Sequence, residues 1–319
     1  MPQRARTRRR KTKEYPAIWL QCAGCSGCSV ALLNVESPTV KNIIVDQLVP
    51  GAHVSLKFHP TIMAGSGEMA LSMTEGAAAP PKGYLLVVEG AVPTGHARYG
   101  GVGEQGGKHI EMAQKVRELA QDALAVIAVG TCSSFGGIPA AAPNPTGCKP
   151  VSEILEEAGI NVPVINLPGC PPHPDWLAGT IASVLLFGLP GPQEVDVLAR
   201  PKRFYGRLIH ENCPRRADFE AGKFARAIGE AGCLYELGCR GPITNADCPE
   251  RMFNSSINWC IKAGSPCMGC VEPEFPDVVS PLYRKTPEQE LPHISLRADG
   301  TLVAVKRPAS GLQEQEQAR

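Results

Sequence analysis

Thirteen cysteines lie in a chain of 319 residues, and their spacing bounds the chemistry they could do. Cys22, Cys25 and Cys28 recur at a period of three in QCAGCSGC, directly after the apolar run Ala17-Ile18-Trp19-Leu20. Cys132, in VGTC, and Cys170, in LPGCPP, each close a separate apolar run. A close pair with two distant singles differs from the paired Cys-x-x-Cys knuckles common around one zinc ion. It suits a larger inorganic body, a four-iron cubane gripped by four thiolates. Farther on, His210-x2-Cys213 with Cys233 and Cys239 makes a second group. Cys248, Cys260, Cys267 and Cys270 make a third. Exchanging one thiolate for a neutral imidazole should raise the reduction potential of a bound cluster. Zinc also suits these two groups, and the gaps of 19 residues after Cys213 and 11 after Cys248 do not separate the metals.

Such ligands need elements that bring them to one edge. Runs 17–20, 83–93, 123–130 and 162–167 read as strands. Segments 26–36, 105–121, 151–158 and 175–186 read as helices, with Ile110, Ala113, Val116 and Ala120 at helical spacing and GLPGP (188–192) ending the last. NIIVDQLV (42–49) reads as a strand or as the end of a helix-turn-strand unit. This alternation predicts an α/β domain with a parallel sheet. In an open parallel sheet, sites form beyond the carboxyl ends of the strands, where the first-half cysteines sit. Gly130, Gly169, Pro171 and Pro172 are turn residues that let backbone approach a bulky body. After about residue 195 the apolar runs shorten while Cys, Pro, Gly and Arg crowd in. That segment needs staples, and bound metal supplies them. The expected organisation is a basic arm (1–16), an α/β domain (17–195), a metal-binding domain (196–285) and an extension (286–319).

A formal net charge of +1 argues against nucleic acid as a partner. The basic run RARTRRRKTK (4–13) is the exception and reads as a solvated arm. TKEYP follows its arginines where an export signal would place an apolar stretch of roughly 7–15 residues. No run approaches the about 18 apolar residues of a membrane span. A rich, odd-numbered cysteine set reads as metal-bound thiols in a reducing compartment. The expected location is therefore cytoplasmic, free or peripherally attached to a membrane. No Walker loop and no Gly-x-Gly-x-x-Gly opens a helix, and YGGVGEQGG (99–107) reads as an adaptable loop at a partner surface. Glu89 ends a buried strand beside the first group, to shape an interface or relay protons.

Ordered motifs spanning roughly residues 17–280 carry a family resemblance: CSGCS (25–29), IMAGSG (62–67), EGAVP (89–93), GTCSSFGG (130–137), NPTG (144–147), PGCPPHPDW (168–176), HENC (210–213), and the block CPERMFNSSINWCIKAGSPCMGCVEPEFPD (248–277). In these the chain resembles the small, iron–sulfur subunit of nickel–iron hydrogenases. The resemblance implies a flavodoxin-like N-terminal domain and an irregular, mostly helical and loop-built iron–sulfur C-terminal domain. It implies a proximal cluster on Cys25, Cys28, Cys132 and Cys170, a distal cluster on His210, Cys213, Cys233 and Cys239, and a medial cluster on Cys248, Cys267 and Cys270. It also implies an obligate large subunit that bears the Ni–Fe centre, in a heterodimer or a higher oligomer of heterodimers. Electrons from hydrogen would then cross this chain to an external acceptor.

Departures from the family pattern sharpen the expectations. Cys260 follows Asn258-Trp259 where the family has proline, so the medial cluster gains a fourth thiolate and all three clusters become 4Fe-4S. Gly27 and Gly137 stand where oxygen-tolerant membrane-bound members carry two further cysteines, so their special proximal cluster is not expected. Cys22 and Asp46 are alternative proximal ligands; otherwise Cys22 and Cys148 read as small buried hydrophobes. The chain looks closest to the soluble cytoplasmic uptake enzymes, including the actinobacterial type. The cluster-bearing subunit of respiratory complex I resembles the same first half, but its adjacent cysteine pair is missing and it has no counterpart of 200–280. A zinc-stabilised interaction protein is the rival from another class, and it would be colourless.

Overall fold

The computed structural model describes residues 13–44, 46, 51–75, 81–96, 99–277, 293–296 and 302–305. Most of the basic arm, and the polar tail 311–319, lie outside them. The chain enters on strand β1 (Lys13–Gln21), which begins before the apolar run that marks it in the sequence. It continues through α1 (Gly27–Leu32), α2 (Val40–Ile44), β2 (Ala52–Phe58), α3 (Gly67–Ser72), β3 (Tyr84–Glu89) and β4 (Val92–Pro93). Next come β5 (Gly101–Gln105), β6 (Lys108–Glu111), α4 (Met112–Ala120), β7 (Ala123–Val129) and α5 (Gly130–Phe135). Then follow β8 (Cys148–Lys149), α6 (Val151–Glu157), β9 (Val164–Leu167) and α7 (Pro174–Phe187).

Five of these strands pair in parallel in the order β2-β1-β3-β7-β9. Counted along the chain that order is 2-1-3-4-5, the flavodoxin-like winding, with its switch point between β1 and β3. The centre strands are apolar on both sides because both faces are covered. Ala17 and Trp19 enter one core with Leu85, Val87, Ile127 and Trp176. Ile18 and Leu20 enter the other with Leu86, Val88, Val116 and Ile154. Helix α7 has local start and stop signals: His173 accepts the Asp175 amide at 3.1 Å, Pro174 opens the helix, and Gly188 follows at φ 87°.

Two sequence expectations need correction here. Of the segment 42–49, read as a strand or as part of a helix-turn-strand unit, residues 42–44 are helical and belong to α2, 45 and 47–49 lie outside the described residues, and the second strand is Ala52–Phe58. That strand lies at the sheet edge, where the polar alternation His53, Ser55 and Lys57 is allowed and hides it from a search for apolar runs. The helix expected over 105–121 begins only at Met112. Before it, β5 and β6 form an antiparallel hairpin closed by Gly106 and Gly107, at φ 55° and 74°. Two adjacent residues of positive φ make the tight hairpin turn that glycines favour.

Beyond residue 195 the elements are short: α8 (Lys202–Tyr205), α9 (Arg216–Glu220) and α10 (Cys248–Arg251), joined by turns. Among the described residues, this region forms no apolar core of its own. Tyr205, Ile209, Leu234, Trp259 and Val271 extend the core that covers Trp19 and Trp176 on one sheet face. The buried Arg200 pins the junction, bonding Asp196 at 2.8 Å, Glu272 at 3.2 Å and the Val271 carbonyl at 3.0 Å. Strands β10 (His293–Leu296) and β11 (Leu302–Val305) pair as an antiparallel hairpin. Among the described residues, no helix is long and apolar enough to cross a membrane.

Candidate metal centres

The first group forms where three strands end. Cys25 and Cys28 follow β1, Cys132 lies in α5 after β7, and Cys170 follows β9. Ser26, at φ 59°, turns the chain into α1 so that both Cys25 and Cys28 face this edge. The field at the Cys28 thiol comes first from burial, then from Glu89, Cys132, Cys25 and Cys170, so the four sulfurs surround a common space. Cys132, which burial and then Cys170 and Cys25 act on, is pushed up to about 11. Glycine lets the backbone come this close: a Cβ on Gly130, at φ 84°, would lie 2.5 Å from the Cys28 sulfur. One on Gly137 would lie 3.1 Å from that of Cys132.

In the third group Cys248 opens α10, and Cys260, Cys267 and Cys270 arrive on turns. Burial dominates the rise of Cys248, with Cys270 and Cys260 adding to it. Cys267 feels Cys270 and Cys248 in the same way, and Cys270 is pushed up to about 12. In the second group His210, Cys213, Cys233 and Cys239 line one cavity with Tyr235 and Ile261. That cavity holds about 300 Å³ free of protein atoms, part of it open to solvent. His210 is half-buried rather than exposed, and its ring meets Phe219 edge-on at 4.7 Å. Burial and the Arg216 charge lower its pKa, which keeps the imidazole neutral as a ligand must be.

Adjacency puts the three groups in line. The Thr131 hydroxyl accepts from the Gly169 amide, next to Cys170 of the first group, and donates to the Cys270 carbonyl of the third. The Cys267 amide of the third donates to the Cys239 sulfur of the second at 3.4 Å. Among the described residues, no three His, Cys, Asp or Glu side chains close on a point that would hold one ion. The donors instead surround space, as a cluster requires. Burial raises ten of these thiols away from ionisation, so thiolate here needs a bound cation to neutralise it. The donor sets, and the glycine cradle of the first group, fit iron–sulfur clusters.

Cys22 and Asp46 are not brought to the first group. Cys22 sits in the core on the opposite sheet face from Trp19, and burial with the nearby Cys148 pushes it up to about 12. Period two in β1 continues past Gln21 and turns its side chain away. Asp46 bonds Asn42 at 3.0 Å and Lys41 at 3.6 Å, and its carbonyl meets His53 at 2.7 Å. His53 pairs with Glu14 at the amino end of β1, while the cysteine loop leaves the carboxyl end.

Three polar residues bracket the first group, and of these the sequence singled out only Glu89. Buried at the end of β3, Glu89 accepts from the Cys28 and Ser29 amides at 3.0 and 3.1 Å, from Trp19 at 2.9 Å, from Gln21 at 3.2 Å and from the Ser29 hydroxyl at 2.5 Å. His59 and Thr131 carried no signal of their own. The Thr61 amide donates to His59 Nδ1 at 3.2 Å, so Nε2 carries the hydrogen and donates to Ser29 Oγ, also at 3.2 Å. Thr131 bonds both the Cys170 and Cys270 loops.

Comparison with known proteins agrees with this geometry. Residues 205–283 match the family of the C-terminal region of NiFe/NiFeSe hydrogenase small subunits. Residues 25–184 match the NADH ubiquinone oxidoreductase 20 kDa subunit family, which reflects the half that both kinds of subunit resemble. The periplasmic [NiFeSe] hydrogenase small subunit of Desulfomicrobium baculatum is 46% identical, covering 85% of this chain and 87% of its own. The periplasmic [NiFe] hydrogenase small subunit of Solidesulfovibrio fructosivorans is 41% identical over 86% and 83%. The solved [NiFeSe] hydrogenase of Desulfovibrio vulgaris Hildenborough superposes with a TM-score of 0.79 at 43% identity, over 85% of this chain and 98% of that one. The actinobacterial-type enzyme of Ralstonia eutropha H16 gives 0.77 at 31%, over 86% and 83%, and is the more distant likeness.

The names of these relatives overturn the cytoplasmic expectation, because they are periplasmic proteins. Thiolates bound to metal are not free to pair, so cysteine wealth no longer reports a reducing compartment. An export leader is removed from a mature protein, so the folded domain need not encode it. The chain belongs to the small subunits of the NiFe and NiFeSe hydrogenases.

Proposed function

We propose that Cys25, Cys28, Cys132 and Cys170 hold a proximal cluster, Cys248, Cys260, Cys267 and Cys270 a medial one, and His210, Cys213, Cys233 and Cys239 a distal one, each 4Fe-4S. The chain is the electron-transfer subunit of a hydrogenase whose Ni–Fe site lies on the large subunit it pairs with. The observation that carries the reading is the junction order: the Thr131 hydroxyl bonds the Gly169 amide beside Cys170 and the Cys270 carbonyl, and the Cys267 amide bonds the Cys239 sulfur. When bound, the clusters supply storage and passage of single electrons.

This chain's residues do the rest. The sheet edge positions four thiolates around one space. Burial excludes water from Cys248, Cys267 and Cys270 and leaves their sulfurs to backbone amides. Those amides stabilise negative charge and raise potential. His210 lines the cavity that opens to solvent, which supports an exit to the acceptor there. The organisation into an α/β unit (17–195) and a cluster-binding unit (196–285) follows the same division. We place the complex outside the cytoplasm, as the relatives' names suggest.

The test is hydrogen-dependent dye reduction by the complex that a tag on this chain recovers from its host, with nickel, iron and sulfide assayed. The expected eluate contains a nickel-bearing partner and about twelve irons per chain, the sum of three four-iron clusters. Iron for fewer clusters would remove the ligand assignment. Absence of nickel and activity would remove the hydrogenase reading.

A further inference from the structure

Thr131 lies between Gly130 and Cys132 at the start of α5 and is 1% exposed. Its amide donates to the Gly169 carbonyl at 3.1 Å. Its hydroxyl accepts the Gly169 amide at 2.8 Å and donates its single hydrogen to the Cys270 carbonyl. One short side chain thus ties together the segments that carry Cys132, Cys170 and Cys270. At the other junction the Cys267 amide donates to the Cys239 sulfur at 3.4 Å.

Tunnelling decays exponentially with distance, and more slowly along bonds and hydrogen bonds than across a gap. The Thr131 hydroxyl, bonded to the Gly169 amide and the Cys270 carbonyl, is therefore a short bonded route between the first and third groups. That route exists only while the two loops keep their register. The Thr131 hydroxyl bonds both, and it is fully buried among groups that have no water to replace it. Removing it leaves the Gly169 amide and the Cys270 carbonyl without their partner.

We propose that Thr131 is a positioning residue for electron transfer: its hydroxyl holds the Cys170 and Cys270 loops in register, so that electrons cross singly from the Cys132 and Cys170 side to the Cys270 side through the bonds it makes. Hydrogen supplies them at the partner's Ni–Fe site, two electrons and two protons per molecule, and the external acceptor removes them. This inference rests on the relay reading above.

The experiment compares Thr131→Val and Thr131→Ser in the complete complex. Four quantities are read: the magnetic splitting between neighbouring clusters in EPR of partly reduced enzyme, the medial potential, hydrogen isotope exchange, and dye reduction. Valine should weaken the splitting, lower the medial potential and slow dye reduction on the order of 10–100-fold, leaving isotope exchange and iron content unchanged. Serine keeps the hydroxyl and should restore all of them. Unchanged splitting and potential in the valine variant, or a loss in the serine variant equal to that in valine, overturns the proposal. If the valine variant fails to load iron, the serine variant decides alone: it must keep wild-type splitting. A wild-type complex without cluster signals would overturn the relay reading instead.

Discussion

The Glu89 carboxylate accepts the Cys28 backbone amide at 3.0 Å, which sets a negative charge against a ligand residue of the first group. Every hydrogen-bonding partner described around it is a donor: two amides, an indole, a carboxamide and a hydroxyl. Glu89→Gln would turn an amide NH2 toward these donors. The variant should lose about 2–3 kcal/mol of stability, and its proximal potential should rise as the charge disappears. Thermal unfolding and a redox titration of the purified complex check this; an unshifted potential would leave Glu89 a purely structural role.

Cys260 is the departure on which the proposed four-iron medial cluster rests. Its carbonyl accepts the Ser265 amide at 2.9 Å, which a proline at 260 would keep. Cys260→Pro should yield a three-iron signal in the EPR of oxidised enzyme and a higher medial potential. An unchanged oxidised spectrum would take Cys260 out of the ligand set.

His210 lies at the open cavity and packs on Phe219. His210→Gly should slow hydrogen-dependent dye reduction at least about tenfold while the Ni–Fe partner still exchanges hydrogen isotopes. Loss of both would mean that the residue holds the fold rather than the exit.

Iron removal should act unevenly. The sheet has a core on each face, whereas residues 205–277 are short elements and turns folded around ligands. Chelation under reducing conditions should open that segment to protease first and leave 84–129 protected. Equal cleavage across the chain would show that the clusters do not staple the second half.

His59 offers a pH signature. Burial lowers its pKa below the ordinary imidazole value of 6.5, so the folded protein resists its protonation more than the unfolded chain does. Its stabilising contribution is complete above that value and is lost as pH falls through the folded pKa. His59→Gln keeps a donor toward Ser29 and should flatten the fall in stability as pH drops below 6.5, measured by denaturant melts at each pH. An identical slope in the variant would assign the fall elsewhere.

Local patterns determined much of this protein. Apolar runs announced β1, β3, β7 and β9, and cysteines at their ends announced where a site would form, because a parallel sheet delivers the loops after its strands to one edge. Motif order was enough to name the family. Edge strand β2 escaped because its outward polar residues break the apolar run, and the β5–β6 hairpin escaped because two glycines carried the turn. Only the tertiary structure decided which thiols share a space. Cys22 lies three residues from Cys25, yet strand alternation sends it into the opposite core, while the loops of Cys170 and Cys270, far apart in the chain, are tied together by one hydroxyl. Spacing along the chain fixes which residues can be neighbours in an element. Packing of one loop on another, here through the buried hydroxyl of Thr131, fixes which of them touch.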